Sequence, residues 1–187
     1  LNLLQNAFKA GCKKWLIIST SSEYGKNLKN KKNEFDIRVN RIPDTDYGMS
    51  KAIFSDQCEN FAKKYKCQAR IMRIFPIFGK GENRKRLYPS LIQAIKKKKN
   101  FIIKSPNEKR DFTSIDFVCN TILDATNFKK RKFKFSQKWH ISENNPKFVK
   151  EFVNHFWKKY KAKGKIIFSK SKTDFTHISN RTSIWKV

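Results

Sequence analysis

Acidic residues are scarce in this chain: 15 Asp and Glu stand against 43 Lys and Arg, a formal charge of +28 over 187 residues. Such a balance invites a nucleic-acid reading. The excess, however, is lysine (34 Lys to 9 Arg), whereas bidentate phosphate and base contacts favour arginine. It accompanies abundant Asn, Ile and Phe, the bias of an AT-rich genome. The lysines are scattered, densest at 96–99 and 129–134. A solvated surface with non-specific anion binding at low salt is expected, and no specific nucleic-acid partner. The four cysteines (Cys12, Cys58, Cys67, Cys119) form no CxxC, and the three histidines are equally dispersed. That suggests neither a zinc site nor a disulfide framework and fits free thiols in a reducing cytoplasm. The apolar run "WLII" is too short for a membrane span or signal segment, so no membrane partner is expected. The chain also lacks an initiating methionine, and residues 1–11 read as the middle of an amphipathic helix. Leu3, Leu4, Ala7 and Phe8 share a face and Gly11 caps it, so a missing upstream segment is expected.

What is present suffices for one sizeable core or one and a half smaller ones, with 39% hydrophobic and 14% aromatic residues. Helical and extended patterns alternate. "WLIIS" reads as a buried strand, and residues 26–40 as a long polar loop. A helix over 45–65 carries Ala52, Cys58, Phe61, Ala62 and Tyr65 at helical spacing, and "QARIMRIF" is a strand closed by Pro76. A helix with Leu91, Ile92 and Ile95 inward precedes the strand "FIIK" and an "SPN" turn. "DFTSI" is extended, and a helix through Phe117, Val118, Ile122 and Ala125 follows. "KWHIS" is a strand, and Pro146 opens a final helix whose stripe of Phe148, Phe152, Val153, Phe156 and Trp157 is core. The alternation predicts an α/β fold with a mainly parallel sheet. In such sheets chemistry sits beyond the C-terminal strand ends, which selects "STSSEYG" and "PIFGKGE".

In "YGMSK", Tyr47 and Lys51 lie four apart and project from one helical face. With so many lysines, roughly one tyrosine in five has such a partner by chance, so the surroundings must decide. A phenol with an ordinary pKa of about 10 is a poor base near neutrality. A nearby ammonium, or the ring of an oxidised nicotinamide, favours the phenolate. Thr20, one residue past a buried strand, can hydrogen-bond the same substrate oxygen. Together these groups could take the proton of a secondary alcohol as hydride leaves its carbon.

In order, a strand with "STSSEYG", then "YGMSK", "RIFPIFG" and "RDFTSID" resemble the extended short-chain dehydrogenase/reductase family, in particular its NAD-dependent epimerase/dehydratases of nucleotide sugars. The resemblance implies the later part of a Rossmann-like sheet over residues 1–80. Residues 81–187 would form mostly a small mixed α/β substrate domain, with a strand returning near 137–142. It implies that Thr20, Tyr47 and Lys51 are catalytic and, with Phe75, contact NAD or NADP. Ser21, Ser22, Pro76 and Arg110 fall at substrate positions, Arg110 where the family reaches the diphosphate of a nucleotide-diphosphate sugar. Tyr24, with Leu28 at i+4, reads as packing.

Departures from the family pattern narrow the reaction. No GxxGxxG occurs; "GKGENR" follows a strand, but Arg84 stands at the third glycine. Pro76 replaces a frequent Asn, and "HISEN" replaces Asn-Ile-Gly-Ser-Gly. Where the 4,6-dehydratases carry an acidic pair, this chain has Ser21 and Ser22. Glu23 is displaced by one and, on an extended segment, would point elsewhere. Oxidation or reduction at C4, as an epimerase or 4-keto reductase of sugar-nucleotide and surface-polysaccharide biosynthesis, is therefore expected over dehydration, in a cytoplasmic homodimer. The alternative is an inactive family fragment serving as a binding or scaffold protein.

Overall fold

A computed structural model describes residues 2–25, 34–35, 37–38, 40–169, 176–179 and 183–186. Helix α1 (Asn2–Lys9) ends in a Schellman turn. The Cys12 N–H reaches the Ala7 carbonyl at 2.9 Å, and Gly11 adopts a left-handed φ of 92°. Leu4 and Phe8 pack inward, but Leu3 is 82% exposed. One residue is a 100° rotation on a helix, so Leu3 leaves the face it was expected to share. Strand β1 (Lys14–Thr20) follows, buried at Trp15, Ile17 and Ser19 in strict alternation, and runs into a 3₁₀ turn (Ser21–Tyr24). That turn replaces the extended segment expected there, because Thr20 caps it. Within the expected loop, Glu34–Phe35 form a short strand, β2; residues 26–33, 36 and 39 of that loop lie outside the described residues.

Helix α2 (Asp46–Lys64) begins at Thr45, whose hydroxyl accepts the Gly48 N–H at 3.0 Å. Strand β3 (Gln68–Ile74) is followed by β4 (Ile77–Phe78), α3 (Leu87–Lys96), β5 (Phe101–Ile103), β6 (Lys109–Asp111), β7 (Thr113–Ser114) and α4 (Ile115–Ala125). Strands β8 (Ser136–Ile141) and β9 (Pro146–Phe148), helix α5 (Val149–Lys159) and strands β10 (Ile166–Phe168) and β11 (Thr176–Ser179) complete it. Pro146 therefore does not open the last helix. It sits opposite Asp111 in the antiparallel β6–β9 pair, at the edge of its sheet, where the missing N–H is harmless. The helix starts three residues later, with the Glu151 carboxylate accepting the Phe148 N–H at 2.8 Å.

The central sheet is parallel in the order β1-β3-β8, with Thr20 level with Ile74 and Ile74 with Ile141. Three strand ends thus finish at one edge. Smaller sheets are β2-β11-β6-β9, β5-β10 and β4-β7. Trp15, Ile17, Phe61 and Ile71 form a core on one side of the main sheet, and Met72, Val118, Ile141 and Trp185 another cluster. The aromatic stripe of α5 builds a third with Leu91, Ile103 and Phe112. There Phe112 stacks on Phe152 at 3.9 Å.

Arg70 of β3 is fully buried, with no carboxylate in an ion pair with it among the described residues. Its guanidinium donates to the Ala125 carbonyl at 2.5 Å, capping the end of α4, and lies over the Trp185 ring at 4.5 Å. Burial, with Arg131 nearby, lowers its pKa from the ordinary arginine value.

Phe152→Ala opens a cavity in the third core and is expected to remove about 4 kcal/mol in urea denaturation. Leu3→Ala, at the 82% exposed position, should leave the midpoint within about 0.5 kcal/mol.

Candidate active site

The ends of β1 and β3 and the first turns of α2 bound a cavity of about 730 Å³. It brings together all eight residues singled out from sequence: Thr20, Ser21, Ser22, Tyr47, Lys51, Phe75, Pro76 and Arg110. Their burial differs. Thr20 is half-buried; its hydroxyl accepts the Ser22 N–H and pairs with Ser22 Oγ, both at 3.2 Å. Ser21 is buried. Tyr47 is 57% exposed, and its hydroxyl has no partner among the described residues. Lys51, one turn on, donates from Nζ to the Ile18 carbonyl at 3.3 Å, beside Thr20. Helix and turn can approach this closely because residue 48 is glycine: a Cβ there would lie 2.5 Å from the Ser22 carbonyl oxygen.

Phe75 is almost wholly buried, its ring 5.0 Å from that of His140, so it forms a wall of the cavity. The Pro76 carbonyl accepts the Thr113 N–H at 2.8 Å, joining the end of β3 to β7. Arg110 bonds Glu108 at 2.7 Å and Arg86 bonds Glu82 at 3.0 Å, and all four line the same cavity. Burial pushes the Glu82 carboxyl above the usual range against the pull of Arg86. A larger hollow, about 1160 Å³, lies beside Arg41, Asp56 and Gln137 and contains none of the eight. No group of three or more metal-ligating side chains occurs among the described residues.

Sequence reasoning missed what supports this cavity. Glu23 is fully buried and does point away from it. One carboxylate oxygen accepts from Arg73 Nε at 2.9 Å and from Arg41 at 2.8 Å. The other accepts from Ser55 Oγ at 2.6 Å and from Ser19 Oγ. Arg41 also bonds Asp56 at 2.5 Å; partial burial would lower its pKa, but these carboxylates hold it above the ordinary value. Arg73 donates to the Tyr24 hydroxyl at 2.7 Å, which lies 2.6 Å from His140 Nε2. Tyr24 is thus a packing residue with a polar task. Burial, against the pull of Arg73, pushes its phenol up to about 12. The available signal was two arginines inside the apolar strand "RIMRIF", since charges at such positions need buried partners.

The profile of the NAD dependent epimerase/dehydratase family matches residues 1–134. The chain belongs to that family. No curated protein matches the chain. Among solved structures, this epimerase/dehydratase chain is similar to a UDP-N-acetylglucosamine 4-epimerase from Methanobrevibacter ruminantium M1 in complex with UDP-N-acetylmuramic acid. The two are 16% identical with a TM-score of 0.80, over 95% of this chain and 56% of that one. It is similar to RMD from Pseudomonas aeruginosa complexed with NADPH, at 15% identity and TM-score 0.83 over 97% and 61% of the two chains. It is also similar to a UDP-glucuronic acid 4-epimerase from Bacillus cereus in complex with UDP-glucuronic acid and NAD, at 22% and 0.77 over 90% and 53%. The fold is therefore the α/β one with a parallel sheet that the family implies, and the chain spans little more than half the length of these proteins.

Glu23→Gln leaves the nearly inaccessible Arg73 without its counter-charge and is expected to destabilise the chain by about 3–5 kcal/mol in urea. Because the folded pKa of Tyr24, about 12, lies above the ordinary tyrosine value of about 10, the fold favours the neutral phenol. Its contribution to stability is complete below pH 10 and is lost as pH rises through about 12. Phenolate absorbance should show one tyrosine ionising only near pH 12, and Tyr24→Phe should remove that step.

Proposed function

We propose that this chain supplies the acid–base pair and much of the substrate cavity of an NAD- or NADP-dependent enzyme acting at C4 of a nucleotide-activated sugar, as an epimerase or 4-keto reductase. The observation that carries the reading is the convergence of Thr20, Tyr47, Lys51 and Arg110 on one cavity in a member of this family. The hydroxyl of Tyr47, a residue that lines that cavity and has no hydroxyl partner among the described residues, takes the proton of the sugar hydroxyl or returns it. The Lys51 ammonium, one turn away, places positive charge beside the same cavity. The Thr20 hydroxyl bonds the same sugar oxygen and fixes its direction.

The donor set fits the nicotinamide-ribose end of a dinucleotide. Lys51 uses one N–H on the Ile18 carbonyl and keeps others for a ribose, while Phe75 closes the wall. When bound, the nicotinamide supplies or accepts the hydride. For the substrate diphosphate, Arg110 and Arg86 would exchange a carboxylate partner for phosphate oxygens. Two neighbours of known structure hold UDP-sugars, which supports that ligand class. Elimination of water is disfavoured: Ser21 and Ser22 carry no acid, and Glu23 is committed to Arg73 and Arg41. Met49 and Ile53, exposed on α2, suit the homodimer, and the setting is cytoplasmic.

A second reading, a binding or scaffold protein without catalysis, is favoured by one fact: no GxxGxxG occurs in the 187 residues. Calorimetric titration separates the two, since a scaffold would bind UDP but not NAD. With UDP-hexoses and NAD, Tyr47→Phe is expected to lower kcat by about 100-fold or more. Turnover equal to the parent would end the enzymatic assignment.

A further inference from the structure

Two lysine runs some sixty residues apart in sequence meet in space. The last turn of α3 and the residues after it carry Lys96, Lys97, Lys98 and Lys99; the last turn of α5 and the residues after it carry Lys158, Lys159, Lys161, Lys163 and Lys165, and all nine are exposed. Their backbones are joined: the Lys165 N–H bonds Asn100 Oδ1 at 2.9 Å, and the Phe101 N–H bonds the Lys165 carbonyl at 2.9 Å. Gly164 lies so close that a Cβ on it would sit 2.3 Å from the Lys99 carbonyl oxygen. Neither 93–104 nor 152–169 contains an acidic residue, and none of the nine lysines forms an ion pair among the described residues. Complementing two helix dipoles accounts for charge in the last turns only; Lys163 and Lys165 lie beyond them.

Apolar side chains border this charge. Ile102 and Ile167 are register partners in the β5–β10 pair, and they are 59% and 43% exposed. Tyr160 is 46% exposed, whereas Phe168, one residue on from Ile167, faces the other side of the pair. Both segments lack arginine, the residue suited to bidentate phosphate and base contacts. Clustered ammonium groups beside aliphatic and aromatic side chains match an anionic lipid surface, whose headgroups attract the charge and whose acyl boundary accepts the apolar groups.

We infer that this end of the molecule docks peripherally on anionic membranes. The nine lysines provide long-range attraction, and Ile102 and Ile167, paired on one face of the two strands, enter the headgroup layer with Tyr160. The proposal departs from the expectation from sequence that the lysines are solvated and that no membrane is involved. It rests on no feature of the Tyr47 cavity.

The test is co-sedimentation of the chain with phosphatidylcholine vesicles, with and without phosphatidylglycerol, at moderate salt. Binding should require phosphatidylglycerol. Replacing Lys97, Lys99, Lys161 and Lys163 together by Gln should weaken partitioning by about 100-fold or more, at about fivefold per lysine. A matched variant with Lys9, Lys14, Lys64 and Lys66 changed to Gln removes the same charge elsewhere and should lose less than about tenfold. The pair Ile102→Ser and Ile167→Ser should bind at low salt but release at lower salt than the parent. Equal losses in both lysine variants, or equal binding to both vesicle types, would overturn the proposal. So would duplex DNA displacing the vesicles with the serine pair indistinguishable from the parent, which marks the patch as a nucleic-acid surface.

Discussion

One buried carboxylate organises the central part of this structure. Glu23 has no solvent contact, yet its two oxygens accept from two guanidiniums and two serine hydroxyls. Removing an ion from water costs several kcal/mol, and only dense hydrogen bonding offsets it. The donors come from β1, α2, β3 and the loop before α2, so the carboxylate is satisfied only when all four are in register. It follows Thr20 by three residues, and Ser55 follows Lys51 by four. The arrangement that satisfies Glu23 thereby sets the strand end and helix that border the cavity.

Local chemistry finishes that positioning. Thr20 and Thr45 each cap the element that follows, one starting the 3₁₀ turn and the other α2. Gly48 lets the helix rest against the turn. Tyr47 needs no support from its own hydroxyl, because its backbone lies in a capped first turn. Arg110 and Arg86 are held by Glu108 and Glu82 at the far side, so positive charge stays at the cavity without unpaired burial.

The lysine excess is distributed with structural sense. Lys66, Lys98 and Lys161 each take the left-handed position after a helix, with φ between 48° and 53°, where glycine is usual. The Schellman hydrogen bonds still form: the Cys67, Lys99 and Ala162 N–H groups reach back to Ala62, Ala94 and Trp157 at about 3.0 Å. A helix C-terminus favours cations, which partly compensates the strain of a side chain at positive φ. A compositional bias is thus absorbed at positions that tolerate it, and two of the three caps meet at one end.

The sequence by itself determined the elements and singled out the candidate site residues. Periodicity located β1, α2, β3 and the aromatic face of α5, because a strand or helix must bury one face at its own repeat. Four ordered motifs singled out the eight residues of the cavity. Boundaries that depend on neighbours were not legible. Pro146 became strand because β6 lies beside it, and the 3₁₀ turn replaced an extended run because the Thr20 hydroxyl captures a backbone N–H. The partners of Glu23 and the meeting of the two lysine turns belonged to tertiary structure alone. A carboxylate at position 23 carries no local mark of burial; only packing brings Arg41, Ser55 and Arg73 to it, through pairings 18 to 50 residues apart.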